Sequence, residues 1–140
     1  MSYDPNRLRV ELQHLDWARQ LKEEVIQDIA ASAELMECQA GQVIIELDSE
    51  INRVYFILAG RLEGALFDRL GKKILHETFQ RGSVVGLFSV LLADRSHLHV
   101  EAVQHTTAIH LELDDLLRLT GNYREFQLTI LRIAANLVKL

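Results

Sequence analysis

Hydrophobic positions in the first quarter of the chain recur with a helical period. Leu8, Leu12, Leu15 and Ala18 fall on one stripe, and Leu21, Val25, Ile29 and Ala33 on a second. Residues Asn6 to Ala33 are therefore predicted to form two short helices, with Trp17 as a packing anchor and Glu23 and Glu24 on a solvated face. From Met36 the period changes to two. Val43–Leu47 and Val54–Leu58 are predicted strands, with Ala40-Gly41 before the first and Asp48-Ser49-Glu50 between them. "AGRLEGALFDRLGKKILHETF" predicts a strand pair, broken ahead by Gly60 and turned by Asp68 to Gly71. Along its second half, Ile74, His76 and Thr78 alternate with Leu75, Glu77 and Phe79, so that strand should carry two different faces. His97–Val103 and Thr107–Leu113 alternate again. Asp114 is the expected N-cap of "DLLRLT", Gly121 falls just past its end, and Tyr123 to Leu140 reads as one long helix.

These elements predict an α+β, mainly β fold. It is an eight-stranded antiparallel β-roll, jelly-roll-like, over residues 35–113, between N-terminal helices (1–34) and C-terminal helices (114–140). With no internal repeat and Pro5 as the one proline, the 140 residues make a single domain large enough to bury its own core. Composition narrows the function classes. A net charge of −5 gives no basic field for a nucleic acid backbone, so no nucleic acid partner is expected for this domain. Cys38 stands alone, which leaves neither a disulfide framework nor a cysteine zinc site and predicts a buried structural thiol. No basic-then-apolar leader begins the chain, and no apolar run approaches the ~20 residues of a membrane span. A cytoplasmic setting without membrane insertion is the expectation.

Catalytic signatures are missing: there is no Gly-x-Ser-x-Gly, Walker loop, His-Glu-x-x-His or Cys-x-x-Cys, so no catalytic residue is assigned and no enzyme is expected. The stretch "GLFSVLLADRS", Gly86 to Ser96, carries the candidate binding chemistry instead. Its glycine, its short apolar helix and its arginine are parts from which an anion cradle can be built. Three further stretches, "AGQVIIELDS", "RVYFILAGRLEGAL" and "FQRGSVVGLFSVLL", resemble the cyclic-nucleotide-binding domain family, and Gly41, Gly60, Gly82 and Gly86 sit at the intervals that resemblance implies. That family includes catabolite-activator-type regulators, regulatory subunits of protein kinase A and cyclic-nucleotide-gated channels. The resemblance runs from about Leu15 to Leu137. It implies a regulatory or sensor domain whose phosphate-binding cassette would comprise Gly86, Leu87, Phe88, Ser89, Arg95, Ser96 and His97.

In the family a glutamate follows the cassette glycine and binds the ribose hydroxyl. Here that residue is Leu87. Arg95-Ser96 resembles the family's phosphate-binding arginine and its hydroxyl neighbour, but aligning "HVEA" with the family strand puts Ser96 and His97 in those places. Strand parity groups Ser96 with inward-facing Leu98, Val100 and Ala102, and Arg95 with His97, His99 and Glu101 on the other face. Arg95 reaches the pocket only if a bulge or the loop re-aims it. Cyclic AMP and cyclic GMP are accordingly expected to bind weakly or not at all, no cofactor is assigned, and another small anionic ligand stays open. Two alternatives stand beside the sensor. One is a ligand-free interaction domain of the same fold, with "LFSVLL" plugging the roll. The other is a metal-dependent cupin-like enzyme using His97, His99 and Glu101, weakened by the absence of a convincing further histidine; a solvated strand face and no metal is the preferred reading.

The last helix carries two apolar stripes. Phe126, Ile130, Ile133, Leu137 and Leu140 follow coiled-coil spacing; Leu128, Leu131, Ala135 and Val138 form the other. The first is expected to pair with a second copy as a homodimer seam and relay helix, the second to pack on the roll. The pattern runs to Leu140 without a stop signal, which suggests a longer protein with a covalently linked effector.

Overall fold

The computed structural model of the chain describes residues 5–137. Helices α1 (Pro5–Gln13) and α2 (Glu23–Ser32) are joined through a 3-10 turn at Asp16–Ala18. Eight strands follow: β1 (Glu34–Cys38), β2 (Val43–Ile45), β3 (Arg53–Ala59), β4 (Arg61–Phe67), β5 (Lys73–Gln80), β6 (Val84–Val85), β7 (Leu98–Ala102) and β8 (Thr106–Glu112). A short helix α3 (Leu87–Leu92) lies between β6 and β7, and α4 (Leu113–Asn122) and α5 (Arg124–Leu137) close the described chain. The strands form two four-stranded antiparallel sheets, ordered β1-β8-β3-β6 and β2-β7-β4-β5. The predicted β-roll with helices at both ends is the fold. No helix among the described residues is long and apolar enough to cross a membrane.

β3 is the strand on which both halves of the core meet. Val54, Phe56 and Leu58 join one apolar cluster with the helices, while Tyr55 and Ile57 join the other, between the sheets. A strand covered on both faces needs no polar alternation, which is why "VYFIL" is an unbroken apolar run. β8 behaves alike: Ile109 and Leu111 meet the helices and Ala108 the second sheet, so its expected polar face is buried. The helical cluster takes in Leu8, Leu12, Leu15 and Ala18, as the first stripe requires, and Val25 and Ile29 from the second. Trp17 packs its ring 5.0 Å from Phe56. Cys38 is a buried free thiol whose pKa is pushed up by burial.

Three expectations change. The seam Phe126, Ile130 and Ile133 does not face outward: Phe126 and Ile130 are buried in the chain's own helical cluster and Ile133 packs against it. The other stripe is the exposed one, with Leu131 60% accessible and Leu128 also exposed. The reason is volume. Phe126 is fully buried in the cluster that also holds side chains of α1, α2 and α4, and burying it is worth roughly 1.5–3 kcal/mol. Leu140 and Val138 lie outside the described residues. Second, α4 begins at Leu113, with Glu112 at its N-cap and Gly121 inside its last turn; the Leu113 N–H bonds the Asn52 carbonyl and the chain turns into the helix two residues early. Asp114 and Asp115 sit in the first turn, where the helix dipole favours them. Third, β5 is exposed at every position but Phe79: Leu75 and Glu77, which share the parity of Phe79, open onto a cavity.

Candidate functional site: the cassette and its cavity

Gly86 enters α3 with φ of 90°, a left-handed conformation that costs glycine little and other residues more. The helix it starts is six residues long and amphipathic across its width. Leu87 and Val90 turn into the helical cluster, and Leu87 is only 1% accessible. Phe88, Leu91 and Leu92 remain exposed. A side chain so placed has a structural task, so the position that would offer a carboxylate to a ribose is a core position here.

Arg95 borders the cavity under the loop, and its guanidinium is tied to the turn after β2. Its Nε–H donates to the Asp48 carbonyl at 2.8 Å and to Asp48 Oδ1 at 3.1 Å, and Nη1 lies 3.7 Å from Glu50 Oε1. Two backbone bonds fix that arrangement: Asp48 N–H to the Ser96 carbonyl, and Ser96 N–H to the Ser49 carbonyl. Asp48 itself adopts a left-handed φ of 62°, which presents its carbonyl to the guanidinium. Ser96 is buried as its parity required, yet its hydroxyl is consumed locally. It donates to the Leu98 carbonyl at 2.7 Å and accepts from the Leu98 N–H at 3.0 Å.

One cavity of about 360 Å³ lies under this loop. Six of the seven predicted cassette residues border it: Gly86, Leu87, Phe88, Ser89, Arg95 and His97; Ser96 does not. Sequence reasoning missed the opposite wall, which comes from β4 and β5. Leu66 and Leu75, paired across those strands, line it together with Glu77 and Phe79. The signal was present in the alternation of Leu75, Glu77 and Phe79, but not what those residues face. Leu137 from α5 also borders the cavity, so the last described turn of that helix touches the candidate site. Asp94 adds a second carboxylate, 3.7 Å from His97 Nε2.

The metal alternative gains no geometry. His97 precedes β7 at the cavity, whereas His99 and Glu101 alternate with core residues Val100 and Ala102 and so point off the outer face of the second sheet. Among the described residues no group of three or more His, Cys, Asp or Glu side chains converges on a point that would hold an ion.

A two-sheet roll with a glycine-led helix over an inter-strand cavity defines a regulatory or sensor class of domain. The chain belongs to the cyclic nucleotide-binding domain family, whose profile matches residues 35–123, more than half its length. Solved structures share the fold at low identity. The regulatory domain of Toxoplasma gondii protein kinase A, crystallised with cyclic AMP, superposes with a TM-score of 0.80 at 14% identity, over 94% of this chain and 50% of that one. Thermus thermophilus catabolite activator protein gives 0.77 at 16%, over 86% and 56%. The sensor domain of the transcriptional regulator DNR from Pseudomonas aeruginosa gives 0.76 at 13%, over 94% and 89%. The chain thus spans about half the length of the kinase regulatory and catabolite activator structures and most of the isolated sensor domain. No curated protein sequence matches it.

Proposed function

We propose that this chain is a regulatory sensor domain whose cassette keeps the family's backbone shape but is not built for a cyclic nucleotide, and which reports the state of its cavity through α5 to a linked effector in the cytoplasm. The observation that carries the proposal is the engagement of Arg95. A cyclic phosphate needs a charge-assisted partner in a closed site. Here the one guanidinium of the cassette borders the cavity but is already paired with Asp48 and Glu50. The carboxylates bordering the cavity, Glu77 and Asp94, oppose an anion. Leu87 adds a second loss, since an unpaired ribose hydroxyl costs about 1–3 kcal/mol. Support for the relay is the position of α5: Phe126 and Ile130 anchor it in the core while Leu137 borders the cavity. Isothermal titration with cyclic AMP and cyclic GMP tests the reading. No saturable heat is expected; low-micromolar binding that Arg95→Ala abolishes would reverse it.

One observation favours a second reading, the ligand-free interaction domain. Leu128, Leu131 and Ala135 form an exposed apolar stripe along α5, and a two-fold contact between identical helices is the commonest way to cover one. In that reading the homodimer uses this stripe rather than the buried Phe126–Ile130 seam. Sedimentation of the domain separates the two.

A further inference from the structure

We infer that the cavity beneath α3 takes an uncharged, mainly apolar small molecule. The inference rests on the proposed function and names the ligand class of the same site. Its volume of about 360 Å³ falls within the roughly 300–1,000 Å³ of small-molecule sites. The walls come from six elements, and several of their apolar side chains are left open: Leu75 is 46% and Leu92 71% accessible, with Phe88 and Leu137 also exposed. Apolar groups gathered around one concave site mark a binding surface rather than scattered surface residues. Charge decides the chemical class. The one guanidinium that borders the cavity, Arg95, faces the chain's own carboxylates at Asp48 and Glu50, and the His97 imidazole lies 3.7 Å from Asp94. Glu77 on the opposite wall has none of these partners, and a carboxylate there repels an anionic ligand while accepting a hydrogen bond from a neutral donor.

The test uses two fluorescent probes with one aromatic skeleton, neutral phenylnaphthylamine and anionic anilinonaphthalene sulfonate, titrated into the whole 140-residue chain. The neutral probe should bind saturably with one site per chain, at least about tenfold more tightly than the sulfonate. Leu75→Asp and Leu92→Asp, at exposed positions that spare the core, should each weaken it about tenfold or more, while Leu128→Asp on the far stripe of α5 leaves it unchanged. Equal or tighter binding of the sulfonate, non-saturable uptake, or indifference to both cavity variants overturns the inference. Cyclic AMP added to the probe complex keeps the two readings apart. Displacement of the probe by cyclic AMP sinks the proposed function and the inference together; failure of the neutral probe alone sinks only the inference.

Discussion

Gly60 sits at φ 96° between β3 and β4, and a Cβ there would lie 2.4 Å from the His105 carbonyl oxygen and 2.6 Å from the Thr106 Cα. Those are backbone atoms that cannot swing aside. Gly60→Ala should therefore cost about 2–4 kcal/mol, from left-handed strain plus overpacking, measured as a shift in the urea midpoint. Leu87 invites a different substitution. Restoring the family's acid as Leu87→Glu would bury a carboxylate in the helical cluster instead of lending it to a ligand. The expected result is a loss of about 3 kcal/mol or more and no gain in cyclic nucleotide affinity, checked by denaturation and titration of the same variant. His110 makes the fold sensitive to pH. Burial first, then the Arg53 charge, hold its imidazole below the ordinary value against the pull of Glu34 and Glu112. The unfolded chain takes up this proton near pH ~6.5, so the contribution of neutral His110 is complete above that pH. It is lost as pH falls through the lower folded value. Its buried Nδ1 has no hydrogen-bond partner, so His110→Phe should narrow the stability difference between about pH 7.5 and about pH 5.5 without a large loss at the higher pH. At this scale the sequence was legible where spacing alone decides, as for Gly86 and the parity of Ser96. It was silent where a partner far along the chain decides, as Asp48 does for Arg95.

Between elements, Asp28 on α2 is the hub that ties the N-terminal helices to the C-terminal ones. Arg118 on α4 donates to both its carboxylate oxygens, at 3.2 and 3.3 Å, and the Tyr123 hydroxyl donates to Oδ2 at 2.8 Å. Partial burial raises the Asp28 pKa, but the hydrogen bonds from Arg118 and Tyr123 and the Arg118 charge outweigh it, and the group titrates below its ordinary value. Its stabilising contribution is present above the unfolded carboxylate pKa and is lost as pH falls through the depressed folded one. Asp28→Ala should cost about 1 kcal/mol at neutral pH, allowing for the solvent exposure of the pair, and should shrink the loss of stability below about pH 4. The stripes of α5 give a sharper contrast. Ile130→Asp, inside the cluster, should unfold the domain, whereas Leu131→Asp should leave its melting temperature nearly unchanged; if α5 pairs with a copy, the second variant alone sediments as a folded monomer. The 4-3-4-3 spacing of Phe126, Ile130, Ile133 and Leu137 was legible as an apolar seam. Its direction was not, because periodicity specifies a face and says nothing of whether the chain's own core or a partner covers it. The strand count was legible from turn residues and period, and six strands were placed by them; the short β1 and β6 were not located individually. The double burial of β3 and β8 follows from their central place in one sheet, which only the assembled order reveals.

For the molecule as a whole, the cavity under α3 is where a family fold and its particular chemistry separate. Cassette geometry is kept: the glycine, the short helix, and the loop returning into β7 are all in place. Around them Leu87 lies in the core, Ser96 is bonded to its own strand and Arg95 is paired across the loop. The far wall, built by Leu66 and Leu75, lies on the preceding hairpin, ahead of Gly86 in the chain, and α5 brings Leu137 to the cavity from beyond two further strands and a helix. No local reading of "GLFSVLLADRS" can show such a wall. The central claim is that this cassette does not receive a cyclic phosphate, and amide chemical shifts test it most directly. On adding millimolar cyclic AMP to isotope-labelled domain, the resonances of Gly86 to His97 should stay in place and the Arg95 side-chain Nε–H should keep its Asp48-bonded position. Saturable shifts of those amides at micromolar nucleotide, with the Arg95 Nε–H moving with them, would contradict it.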